Sequence, residues 1–179
     1  YYSVYLADHD ITAEVTPTER AAMFRFTLPE TDSAAIVVDA FDQGSWVKSI
    51  GRNKLVGYTT RNSGGVPEGF RCYFVAEFTS ADVESVHLWK TDGQLTDSTQ
   101  LHADHTGAYI SLRPTRRGEQ VCMKVASSFI SVEQAEHNLQ ELGNHSFDEL
   151  REEGHQAWNT TLGRVAIEAP TDVMRTFYS

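Results

Sequence analysis

The hydrophobic period of this chain changes once, near Ser131, and that change constrains the fold more than any other feature. Before it, apolar residues recur at every second position in short runs divided by polar turns; after it, they recur at helical spacing. The two-residue runs are Tyr1 to Leu6, Ile11 to Thr16, Ala21 to Leu28, Ala34 to Phe41, Trp46 to Ile50, Lys54 to Thr60, Phe70 to Phe78, Val83 to Trp89, Thr106 to Leu112 and Glu119 to Phe129. Many short strands joined by turns predict a mainly β fold, a large antiparallel β-sandwich. Most runs alternate and so keep one wet face, whereas Ala34 to Phe41 is apolar on both phases and predicts a central strand covered on both sides.

Past the change of period, Ser131-Val132-Glu133-Gln134 reads as a capping box, with the serine accepting from the third helical N–H and the glutamine reaching back. Val132, Ala135, Leu139 and Leu142 make one apolar stripe, and Gly143 marks the helix end. A second box, Ser146-Phe147-Asp148-Glu149, opens a longer helix through about Leu162, with Phe147, Leu150, Ala157 and Trp158 on its buried side. The short link predicts a helical hairpin. Arg164 to Glu168 suits a short strand stopped by Pro170. Thr171-Asp172 then opens a helix whose Val173, Met174, Phe177 and Tyr178 share a face. Such a stripe needs a neighbour, so the chain reads as a piece of a longer polypeptide: a sandwich over 1–130, a helical linker over 131–163 and the start of a further domain over 164–179.

A formal charge of −10 and a pI near 5.1 repel polyanions, which excludes nucleic acid as a natural partner. No window approaches the roughly 20 apolar residues of a membrane span, and no basic segment precedes an apolar signal core. Cys72 is in phase with Phe70, Phe74 and Phe78, whereas Cys122 shares a face with Gln120 and Lys124. The two thiols are expected on opposite faces, too badly placed for a disulfide.

Gly57 to Pro67, GYTTRNSGGVP, asks whether its glycine pair grips a phosphate. A phosphate loop leads into a helix N-terminus, but this one leads into the alternating Phe70 to Phe78. The glycines therefore serve a wide turn. They leave unexplained why Arg61, Asn62 and Ser63, three hydrogen-bonding side chains, stand together just before them. His102-Ala103-Asp104-His105 is read as a polar loop rather than a metal cluster, because i and i+3 converge only on a helix and zinc needs three or four ligands. Asp8-His9-Asp10 lacks the remaining oxygen ligands of a calcium loop and reads as a turn. Asp39 and Asp42 are the best carboxylate pair for glycosidic acid–base work, although Asp42 suits the turn Asp42-Gln43-Gly44. Trp158 reads as core filling on its helical stripe; Trp46 and Trp89 suit either core or a sugar-stacking platform. No nucleophile elbow or HExxH occurs.

Asp10-Ile11-Thr12-Ala13-Glu14-Val15-Thr16-Pro17-Thr18, the loop Gly57 to Gly65 and Val125-Ala126-Ser127-Ser128-Phe129-Ile130-Ser131 together resemble the N-terminal domain of glycoside hydrolase family 92, the bacterial exo-acting α-mannosidases. The resemblance covers the whole chain. It implies an N-terminal β-sandwich, a helical linker and a large (α/α)6 barrel in one polypeptide, a Ca2+ requirement, inverting hydrolysis of mannose-containing glycans, and a periplasmic or secreted location. It further implies that the first sugar-site motifs precede Tyr1, and that the acid Glu, the base Asp and the main calcium ligands follow Ser179. No catalytic residue and no metal ligand is then expected in this segment. Arg61, Asn62 and Ser63 are the expected contribution to the rim of the sugar pocket. A carbohydrate-binding module standing alone, using Trp46 or Trp89, and a purely structural interaction domain are the competing readings.

Overall fold

The computed structural model of the chain describes residues 1–78, 83–164 and 171–172. Strands β1 (Tyr2–Leu6), β2 (Ile11–Pro17), β3 (Ala21–Leu28), β4 (Ala35–Asp39), β5 (Ser45–Ile50), β6 (Lys54–Thr59), β7 (Cys72–Phe78), β8 (Val83–Lys90), β9 (Leu95–Thr96), β10 (Gln100–Ala103), β11 (Thr106–Leu112) and β12 (Glu119–Ser128) precede helices α1 (Val132–Leu139) and α2 (Phe147–Leu162). They form an eight-stranded sheet, ordered β1-β2-β3-β12-β7-β6-β5-β10, and a four-stranded sheet, ordered β4-β11-β8-β9. Every pairing is antiparallel, so the β-sandwich and the helical hairpin after it stand as the two periods predict.

Two clusters divide the apolar side chains between the faces of the large sheet. Val47, Leu55, Ala76, Phe78, Val121 and Met123 meet Leu88, Ala108, Ile110 and Leu112 of the small sheet. On the opposite face Ala21, Met23, Val56, Val75 and Ala126 are covered by Ala135, Leu142, Phe147 and Leu150 from the helical segment. Consecutive residues Leu55 and Val56, and Val75 and Ala76, therefore enter different clusters. β3, β6, β7 and β12 each send residues into both clusters and are covered by sheet on one side and helix on the other. β4 is not: it is an edge of the small sheet, and its Val37 is 59% exposed. Two apolar phases record apolar content, not the number of neighbours, and here one phase of β4 has no layer above it.

Close approach shapes both sheets. A Cβ on Gly107 would overlap the Val38 carbonyl and lie 2.5 Å from Cζ2 of Trp89, whose ring lies across the glycine from the neighbouring strand. Gly57 stands likewise under Phe74, with Cζ 2.6 Å from where a Cβ would be. Each ring fills the space that its partner's missing side chain leaves.

The linker helices begin as their caps dictate, with one difference. Ser146 Oγ accepts from Glu149 N at 3.3 Å and Glu149 Oε2 accepts from Ser146 N at 2.7 Å, so this box is complete. At Ser131 only the first arm forms, Gln134 N donating to Ser131 Oγ at 3.1 Å. The Gln134 amide turns instead to Asn138 Oδ1 at 2.9 Å, and Asn138 Nδ2 donates to Ser127 O at 2.8 Å. That relay ties α1 to the end of β12 and satisfies a buried amide, which outweighs the return arm of a cap. α1 ends at Leu139, and Leu142 of its expected stripe sits on a following 3-10 turn, Gln140–Leu142.

α2 holds the sandwich only by its first half. Arg25 lies over the Phe147 ring, 4.1 Å from its centroid, and Phe147 and Leu150 are buried. Past Leu150 the helix is exposed throughout except for the half-buried Gly154, and Trp158, expected in the core, is 67% exposed. The helix climbs beside β2 from the level of Arg25 toward Pro17. Its remaining turns stand off from the strand across an open cleft that Thr16 and Pro17 share with Arg151, His155 and Trp158. Thr171 and Asp172 are helical. The strand expected over Arg164 to Glu168 lies beyond Arg164 outside the described residues, as does the stripe Val173, Met174, Phe177 and Tyr178.

Candidate functional site

Antiparallel register brings the polar loops to one end of the sandwich. Ser45 at the start of β5 pairs with Thr59 at the end of β6, and Ala103 at the end of β10 pairs with Ser45. The small sheet joins at the same end, since Ala40 N donates to Thr106 O at 3.1 Å and Thr106 N donates to Ser45 Oγ at 3.1 Å. The connections 40–44, 60–71 and 104–105 thus converge. Thr60 N donates to Gly44 O at 3.0 Å, and Gly44 N donates to Asp104 O at 2.8 Å.

Within this end, Arg61, Asn62 and Ser63 take three different places. The Arg61 guanidinium pairs with the Asp42 carboxylate, both half open to water. Asn62 folds its loop back: Nδ2 donates to Thr60 O at 2.9 Å and Oδ1 accepts from Gly64 N at 2.8 Å. Gly64 and Gly65 then turn at φ 103° and 76°, angles that a side chain rarely permits. Ser63 is exposed at the tip. The polar residues ahead of the glycine pair are therefore in part the loop's own framework.

Facing them, the 40–44 connection is backbone-strained. Phe41 and Gln43 sit at φ 62° and 72°, in the left-handed region, which costs non-glycine residues about 1–3 kcal/mol each. Asp39 holds this turn, its Oδ1 accepting from Phe41 N at 2.7 Å and lying 2.8 Å from His105 Nε2. The conformation sends the Phe41 ring outward, 54% exposed. Asp39 and Asp42 do not make an acid–base pair. Their carboxylates serve different partners, His105 with the Phe41 amide and Arg61.

His102 departs from the sequence reading. It lies on β10, a short strand paired with β5, and not in a loop. Register aligns it with Trp46, Trp46 with Tyr58 and Tyr58 with Tyr73, which produces a row of rings across four adjacent strands. His102 stacks on Trp46 at 5.7 Å, Trp46 meets Tyr58 at 5.8 Å, Tyr58 meets Tyr73 at 5.8 Å, and the Arg71 guanidinium covers Tyr58 at 4.5 Å. The alternation of Gln100 to Ala103 was the available signal, too short to stand out among polar neighbours. Trp89 belongs to the small sheet, edge-on to His105 at 4.9 Å. Asp8, His9 and Asp10 form the β1–β2 turn, where Tyr5 Oη donates to Asp10 Oδ1 at 2.9 Å.

Cys72 and Cys122 are not disulfide-bonded, and they lie on opposite faces of the large sheet, Cys72 beside Phe74 and Ala76, Cys122 under the helical segment. Burial pushes the Cys72 thiol up. The most enclosed ion pair among the described residues is structural: Glu14 takes Arg25 Nε at 2.7 Å and Nη2 at 3.0 Å, with the Tyr1 hydroxyl donating at 2.6 Å. Arg25's hydrogen bonds hold the Glu14 carboxyl below the usual carboxylate range. Among the described residues no three His, Cys, Asp or Glu side chains stand together as a metal site. No described helix is long and apolar enough to cross a membrane.

Known proteins match this architecture closely. Residues 1–128 match the glycosyl hydrolase family 92 N-terminal domain, and residues 134–179 match the glycosyl hydrolase family 92 catalytic domain. The second match begins inside α1 and continues through α2. No curated protein matches the sequence. Among solved structures, the family GH92 inverting mannosidase BT2199 of Bacteroides thetaiotaomicron is 34% identical, with a TM-score of 0.87 over 96% of this chain and 23% of its own. The family GH92 α-mannosidase BT3965 of the same species is 31% identical, with a TM-score of 0.84 over 94% of this chain and 24% of its own. The GH92 glycosyl hydrolase ccman5 is 31% identical at a TM-score of 0.75 over 90% of this chain and 22% of its own. The chain thus spans about a quarter of the length of these neighbours. A matched N-terminal domain that fills the whole sandwich, followed by the opening of the matched catalytic domain, places the chain in glycosyl hydrolase family 92.

Proposed function

We propose that this chain is the N-terminal, accessory part of an inverting exo-α-mannosidase, acting on mannose-containing glycans outside the bacterial cytoplasm, in the periplasm or after secretion. The observation that carries it is the run of the family's catalytic domain directly after the sandwich, in the same polypeptide. The sandwich supports the catalytic barrel and shapes the rim of the sugar pocket, while the acid and base that cleave the bond belong to the barrel. In this reading the described residues supply no catalytic group. In the same reading the calcium expected from the family belongs to the catalytic domain.

Arg61, Asn62 and Ser63 are the proposed rim residues. Their support is position: they share an end of the sandwich with the exposed Phe41 and with the β12–α1 junction, from which the chain proceeds to the catalytic domain. The enzyme of full length should release mannose from α-mannosides with inverted anomeric configuration, read by NMR during early turnover. Retention, or no release from any α-mannoside, overturns the proposal.

One observation favours a second reading, a module that binds carbohydrate by itself. The row His102, Trp46, Tyr58 and Tyr73 carries ring faces bordered by a guanidinium and hydroxyls, groups that suit a pyranose. Calorimetric titration of the 1–179 chain with mannobiose separates the two: heat of binding supports the module, and its absence supports the accessory role.

A further inference from the structure

A helix that leaves its sheet and shows a tryptophan to water needs a partner. After Leu150, α2 has no buried residue, and Trp158 and Leu162 are 67% and 51% exposed. Between this stretch and the sandwich lies an open cleft of about 690 Å³, walled by Tyr1, Thr16 and Pro17 on one side and by Arg151, His155 and Trp158 on the other. A helix with few covered residues over its last three turns gains little from tertiary packing and is marginal alone.

The same end carries a second apolar surface. Phe129 and Ile130, at the step from β12 into α1, are 72% and 75% exposed, the highest values among the described large apolar residues. Phe70, from the 60–71 connection, meets Phe129 at 5.5 Å. Scattered single exposures are ordinary, whereas a consecutive aromatic–aliphatic pair at the same end as an uncovered helix suits an interface. The occupant follows from chain length. The catalytic-domain match opens within α1, yet the whole chain spans only 23% of BT2199, so most of a family member's catalytic domain lies outside these residues.

We propose that the outer half of α2, with Trp158 as anchor, and the Phe129–Ile130 step form the seat on which the remainder of the catalytic domain docks, part of it entering the cleft beside Pro17. This rests on the proposed function, because it takes the continuing domain to be the family's barrel. Docking on this end, rather than on either sheet face, places the barrel next to the Arg61–Ser63 loop.

Hydroxyl-radical footprinting of the full-length protein tests the seat without altering it. Trp158, Leu162, Phe129 and Ile130 should be shielded, while Tyr5, 58% exposed on the edge strand β1, labels freely. In the same protein Trp158→Glu should split one cooperative thermal transition into two, as the domains lose their common surface. Trp158 labelling as strongly as Tyr5 overturns the proposal, and so does protection that disappears on dilution, which assigns the patch to a second copy. Mannose release together with an unshielded Trp158 sinks the seat and leaves the enzymatic reading standing. A shielded Trp158 in a protein inert toward α-mannosides does the reverse.

Discussion

Gly107 shows how one residue identity is set by a neighbour on the next strand. The Trp89 ring occupies the space of its side chain, so Gly107→Ala must displace either that ring or the Val38 backbone. Overpacking of this kind costs about 1–3 kcal/mol, and chemical denaturation of the 1–179 chain should show a loss of that size. Glu14 gives a second residue-scale prediction. Its folded pKa is depressed by Arg25, so the stability it contributes is present above the unfolded carboxylate range and is lost as pH falls through the lower folded value. Stability should therefore decline on acidification below about pH 4, and Glu14→Gln should flatten that decline. An acid limb unchanged in Glu14→Gln would mean that the pair with Arg25 is not what the acid breaks.

Among the elements, the helices illustrate how local signals and packing divide the work. Ser146 caps α2 with both arms of its box, so Ser146→Ala should lower the melting free energy by about 1 kcal/mol. Ser131→Ala should cost less than Ser146→Ala in the same denaturation series, because only one arm exists at Ser131 and the relay through Gln134, Asn138 and Ser127 still anchors α1. The helix starts were legible, since caps act within four residues. Which residues of α2 are buried was not: Phe147, Leu150, Ala157 and Trp158 fit one helical stripe, yet only the first two meet the sheet. Amphipathic spacing states which face seeks cover, and how closely the helix follows its sheet decides how much receives it. β10 escaped notice for the complementary reason, a strand of four residues whose identity depends on pairing with β5. The loop 60–71 was half legible. Its glycine pair announced a turn, whereas the use of Asn62 to close that turn appears only when Thr60 O and Gly64 N are brought around it.

On the scale of the whole molecule, the proposed function divides scaffold from chemistry, and that division can be tested. The 1–179 chain should release no mannose under conditions in which the enzyme of full length does, and, if that enzyme depends on calcium as proposed, a chelator should abolish the latter activity. Asn62→Ala in the enzyme of full length should raise KM or lower kcat. Because Asn62 also closes its own loop, Ser63→Ala is the cleaner companion, and unchanged kinetics in both removes the loop from the sugar site.

By itself the sequence determined the two periods, the helix starts, the opposite facing of Cys72 and Cys122, and the family, because each is written in local alternation, caps or ordered motifs. Tertiary structure alone decided that β3, β6, β7 and β12 are covered on both sides while β4 is an edge, that His102 joins a row of rings, and that the outer half of α2 stands clear. Burial is a relation between distant segments. A residue's pattern can state the demand for a neighbour, but only the folded arrangement supplies one or leaves the demand unmet.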